Sequence, residues 1–127
     1  MPESGMFPPT RQAALERLAG FVPGAGRAYA EGRNLDPGPG EPGAVSRLSP
    51  YLRHRVITEA EVVDAVLQAQ GPAGADKFIQ EVLWRTYWKG WLEMRPSTWS
   101  RCLESRDRQR DGLADSRALA DAEAGRT

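Results

Sequence analysis

Cysteine and histidine are nearly missing from this chain, with one of each among 127 residues. A lone Cys102 cannot close an internal disulfide and fits a reducing compartment. Neither it nor His54 stands at a spacing that would hold zinc. An excess of one charge is missing too. Lys+Arg and Asp+Glu number 17 each, so the basic surplus of a dedicated nucleic-acid binder is absent and any such contact must be local. No stretch approaches the roughly 20 apolar residues of a membrane span, and residues 1–9 have neither a basic start nor an apolar run. A cytoplasmic protein without a membrane partner is expected. Sustained apolar/polar alternation with β-branched enrichment is likewise lacking, so strands have no support and an all-α fold is predicted. No internal repeat stands out.

Glycine and proline are plentiful, 13 and 10, and they punctuate a chain long enough for one domain. Residues 1–9 read as a flexible lead-in. Thr10 can cap a first helix that carries Leu15, Leu18, Phe21 and Val22 and ends near Gly20 or Pro23. Pro and Gly alternate from Asp36 to Gly43, which makes that segment a loop. Thr58 with Glu61 forms a capping box, and Val62, Val63, Val66 and Leu67 give the next helix its apolar face as far as Ala69. The run Gly71-Pro72-Ala73-Gly74 breaks it. The longest helix then spans about Ala75 to the residues before Pro96, and Ser97 can cap a short helix through Trp99 and Leu103. A helical domain over 10–105 is expected, followed by a polar, helix-prone tail over 106–127 with little to bury.

Two blocks ask for chemistry. In Ser46-Arg47-Leu48-Ser49-Pro50-Tyr51-Leu52, Ser49 reads as an N-cap with Pro50 at the first helical position. That is either simple capping or a helix mouth for a phosphate, with hydroxyls, free N–H groups and Arg47, Arg53 and Arg55 at hand. On the long helix, Phe78, Glu81, Arg85 and Trp88 follow at three, four and three residues, with Trp84 and Trp91 on adjoining faces. Either the tryptophans are core and Glu81–Arg85 is a surface ion pair, or Glu81 and Arg85 enter a cavity beside Trp84 and meet a polar ligand bearing an aromatic ring.

Taken in order, Tyr29…Gly32-Arg33-Asn34, Ser46-Arg47-Leu48-Ser49-Pro50-Tyr51-Leu52 and Phe78…Glu81…Trp84-Arg85 resemble the DNA photolyase and cryptochrome family. The resemblance covers about Phe7 to Leu103 and corresponds to the first half of that family's C-terminal, all-helical FAD-binding domain, without the antenna domain. It implies an FAD site made by Tyr29, Val45, Ser46, Arg47, Leu48, Ser49, Phe78, Glu81 and Arg85. It also implies contacts to damaged DNA or its lesion from Arg33 and Trp84. Val45 stands where the family often has Thr, and Phe78 where it often has Trp. The family's later Asn-His-Ala-Arg-type helix, its flavin-gripping Asp residues and its electron-passing tryptophans have no counterpart here, so a truncated fragment is expected, with the remainder encoded after Thr127.

The complete form implied is a carbon–carbon lyase that uses reduced FAD and light to repair pyrimidine dimers, this chain alone being inactive. A cryptochrome-type light sensor without repair is one rival. The other is a cofactor-free helical interaction module whose Trp-rich helix binds a partner.

Overall fold

A computed structural model describes residues 6–41, 43–113 and 116–126, and among these the chain is helical without a strand. It divides into two compact units, Met1–Thr86 and Tyr87–Thr127. The division falls inside a helix, whereas the sequence marks a change near residue 105, where large apolar side chains thin out.

In the first unit, α1 (Arg11–Phe21) starts where the Thr10 side chain accepts from the Ala13 N–H. A 3-10 turn (Val22–Gly24) leads to α2 (Arg27–Gly32), and a loop leads to α3 (Ser49–Arg53). The α4 segment (Glu59–Glu93) is two helical arms, 59–70 and 72–93, interrupted at Gly71 with φ 71 and ψ 167. That backbone region is essentially reserved for glycine. The break is therefore Gly71 itself, and Pro72 opens the second arm, where its missing N–H costs nothing. Pro72 to Gly74 thus begin the second arm rather than extending the break.

The core is built from i,i+4 pairs on successive helices: Ala14 and Leu18 on α1, Val62 and Val66 on the first arm, Phe78 and Val82 on the second. Tyr29, Leu48, Tyr51, Leu52 and Ile57 fill the space between them. Part of the expected flexible lead-in is anchored here. The Phe7 ring meets Tyr51 edge-on at 6.2 Å, and the Tyr51 hydroxyl donates to the Pro8 carbonyl at 3.1 Å. Residues 1–5 of that lead-in lie outside the described residues.

The capping box forms as the sequence dictates: the Thr58 N–H donates to Glu61 at 2.8 Å and the Glu61 N–H donates to Thr58 Oγ1 at 3.3 Å. Arg11 pairs with the same carboxylate and donates to the Val56 carbonyl at 3.0 Å. Chiefly through the hydrogen bond from Arg11, and next through that from the Thr58 backbone, the Glu61 carboxyl is held down at about 2, against an ordinary 4.5. A depressed carboxylate contributes stability that is present above the unfolded value and lost as pH falls through the folded one. Melting temperature should therefore drop between about pH 4.5 and pH 2, and Glu61→Gln should flatten that part of the profile while lowering the neutral-pH melt. Parallel acid profiles for the two proteins would contradict this.

In the second unit, α5 (Ser97–Gly112) and α6 (Arg117–Glu123) follow the end of α4. None of its described residues is buried. Trp88 and Trp91 meet edge-on at 5.5 Å, the Arg95 guanidinium lies 4.3 Å from the Trp91 ring centre, and Arg110 pairs with Glu123 at 2.7 Å. Where a short helix through Leu103 is expected, α5 runs on to Gly112 as one element. No helix among the described residues is long and apolar enough to cross a membrane.

Candidate functional site

In the first unit, Phe78, Glu81, Val82 and Arg85 occupy positions i, i+3, i+4 and i+7 of the second arm and so share a face. That face closes one side of a cavity of about 290 Å³. Tyr29 from α2, Val45, Ser46 and Arg47 from the loop, and Ser49 and Leu52 from α3 form the rest. The floor is aromatic: Tyr29 and Phe78 meet edge-on at 5.2 Å, and Phe21 lies 4.9 Å from Phe78. The rim is charged. Glu81 faces Arg33 at 3.8 Å, and Arg85 faces Glu59 at 3.8 Å, with Glu59 also held by Arg55 at 2.6 Å.

These pairings settle one alternative left open by spacing. Glu81 and Arg85 do not pair with each other at i,i+4; each reaches a different element. Burial pushes the Tyr29 phenol above its ordinary pKa, the Glu81 charge adds to this, and the Arg33 charge opposes it. Tyr29 therefore stays a neutral hydroxyl, able to donate to a ligand oxygen.

The loop before α3 is built differently from the expected cap. The helix starts at Ser49, Leu48 holds the cap position without a side-chain cap, and Pro50 stands second. The Leu48 N–H instead donates to Ser46 Oγ at 3.3 Å, and Arg47 takes φ 54. Ser49 is consequently released from capping and lines the cavity. With five residues, α3 sums too few aligned dipoles for its mouth to be a strong anion site. Attraction for an anion must come from Arg47, Arg85 and the serine hydroxyls.

Of the nine positions expected around a flavin, eight line this cavity: Tyr29, Val45, Ser46, Arg47, Ser49, Phe78, Glu81 and Arg85. Leu48 differs. Its side chain is 1% exposed and belongs to the core, so only its backbone stands at the loop. Arg33 reaches the rim through Glu81. Trp84, expected beside the cavity, is 46% exposed and is not among the lining residues, because Phe78 and Val82 take the inward face of the arm. The same exposure removes Trp84 and Trp88 from the core.

Sequence reasoning missed Leu52, Val82 and the ion partner Glu59. Continuing the i, i+3, i+4 series from Phe78 would have found Val82; Glu59 lies on another element and left no local signal. Among the described residues no group of three His, Cys, Asp or Glu side chains is placed to hold a metal ion. Compared with known proteins, the chain matches no family model, no curated protein and no solved structure.

Proposed function

We propose that this chain supplies part of the FAD site of a photolyase/cryptochrome-like flavoprotein, whose complete form uses reduced FAD and light to transfer an electron to a pyrimidine dimer flipped out of damaged DNA. The observation that carries the reading is convergence: residues from three separate sequence blocks, picked for their joint pattern, line one cavity. Its chemistry suits the ligand. The Tyr29–Phe78 floor offers ring contacts, Glu81 and Arg85 offer hydrogen-bonding edges, and Ser46, Arg47 and Ser49 offer partners for phosphate.

Size sets a limit. Ligand sites usually hold roughly 300–1,000 Å³, so a cavity of about 290 Å³ takes part of a dinucleotide and leaves the remainder in solvent. The chain alone should bind FAD more weakly than about 10 μM, because partial burial cannot repay ligand ordering. Titrating isotope-labelled protein with FAD and following backbone amide resonances tests this. Shifts centred on Tyr29, Ser46, Arg47, Ser49, Glu81 and Arg85 are expected. Their absence overturns the flavin reading, and micromolar or tighter retention of flavin overturns the partial site.

One observation favours a second reading, a cofactor-free helical interaction module. In the first unit, Leu83 and Trp84 are 57% and 46% exposed on α4, and exposed Trp makes an effective binding hot spot. Colourless protein, silent to FAD, would favour it. A light sensor without repair would bind flavin and ignore a dimer-containing oligonucleotide.

A further inference from the structure

A second cavity in the first unit, about 380 Å³, lies against the same loop and shares Val45, Ser46 and Arg47 as a wall with the first. Its electrostatics are unlike those of its neighbour. The first cavity carries Glu81 among its lining; the second has Arg17 and Arg47 and no acidic residue. Arg17 is set in place by donating to the Met6 carbonyl at 2.7 Å and by lying 4.7 Å from the Phe7 ring centre, neither of which neutralises its charge. Arg47 makes no ion pair or side-chain hydrogen bond among the described residues, and its left-handed backbone is the kind of strain that collects at ligand clamps. Two uncompensated guanidiniums on one concave surface select an anion.

The remaining walls select the shape of what carries the anion. Phe21 lines this cavity while its ring packs on Tyr29 and Phe78, which line the other. Gly20 and Gly24 form another part of the surface, and a Cβ added to either would meet no heavy atom within 4 Å. An aromatic side, small-residue walls and a cationic loop fit a flat ring with an acidic group at one end.

We propose that this second cavity is a binding site of its own for an aromatic monophosphate of the nucleoside monophosphate class, with its phosphate at Arg47 and Arg17 and its ring along Phe21. The site does not rest on the flavin reading, although the two cavities share Val45, Ser46 and Arg47, so both ligands would call on the same Arg47 guanidinium.

The test titrates labelled protein with AMP, inorganic phosphate and adenosine. AMP should shift the amides of Gly20, Gly24 and Ala44 saturably, with at least tenfold higher affinity than phosphate or adenosine alone. Gly20→Leu places a side chain in the open space while improving a helical position, so it should weaken AMP at least tenfold without lowering the melting temperature. Gly24→Leu serves as the second blocking variant should Gly20→Leu fold poorly. Affinity unchanged in the blocking variant, AMP no tighter than phosphate, or shifts confined to Phe78 and Val82 would each overturn the proposal. Failure of FAD with success of AMP would remove the flavin reading and keep this one.

Discussion

Leu48→Ala should destabilise the Met1–Thr86 unit by about 2–5 kcal/mol, the range for emptying a fully buried leucine site. Leu48 is 1% exposed and belongs to the core, and its chain neighbours Arg47 and Ser49 line the cavity. Small domains have only about 5–15 kcal/mol in total, so a fall of at least about 10 °C in the melting temperature is expected. Ser46→Ala with Ser49→Ala should behave differently. Ser46 gives one loop hydrogen bond, and Ser49 no longer caps its helix, so the double variant should melt near the parent while binding phosphate-bearing ligands less well. Urea unfolding of both proteins checks the contrast. A serine variant as unstable as Leu48→Ala would mean that the hydroxyls hold the loop and nothing else.

The second large effect separates two neighbours on α4. Arg85→Ala should reduce FAD affinity by tenfold or more, since a hydrogen bond to a charged group is worth about 1.5–3 kcal/mol, and it should leave the fold intact because Glu59 retains Arg55. Trp84→Ala should leave FAD affinity unchanged, as Trp84 is not part of the cavity lining. Under the proposed function it should instead weaken binding to a dimer-containing oligonucleotide, because aromatic stacking on one base contributes roughly 1–3 kcal/mol. One residue's step turns a helix by about a quarter circle, so adjacent side chains address different surroundings. Flavin titration and oligonucleotide anisotropy on both variants, made in a complete relative carrying these same residues, decide the matter. Equal flavin losses, or unaltered oligonucleotide affinity for Trp84→Ala, would refute the division.

What was legible in the sequence was local. Thr10, the Thr58–Glu61 box and Gly71 each carry their signal within four residues, so the start of α1 and both ends of the first arm of α4 could be read from the chain, whereas the second arm starts at Pro72, ahead of the expected Ala75. The six-residue α2 could not. Glycines flank it, a helix that short has no stability of its own, and it exists because Tyr29 is buried against Phe21 and Phe78. Ser49 was misread for a related reason: Ser-Pro matches a cap followed by a first helical residue, but Ser46 and the left-handed Arg47 supply the turn one residue earlier.

At the candidate site, the blocks themselves were visible, and spacing put Phe78, Glu81 and Arg85 on one face of the long helix; that Tyr29 and Ser46 to Ser49 would meet that face was implied only by the family resemblance. The ion partners were not visible. Glu81 and Arg85 sit at an ideal separation for pairing with each other, yet Arg33 and Glu59, far away in sequence, approach them instead. Contacts set by chain topology leave no periodic trace. Trp84 shows the converse error: a bulky aromatic beside charged residues invites a role inside, whereas the smaller Phe78 and Val82 already fill the inward stripe.

Arg47 puts two kinds of selection in opposition. At φ 54 the backbone suits Gly or Asn better than Arg. Variation filtered only by thermal endurance would therefore drift away from arginine at this position, and variation filtered by capture of an anion would hold it. The residue that a stability screen discards first is the one a ligand screen should keep, which makes position 47 a place where a mixed library, sorted twice, reveals which demand shaped the loop.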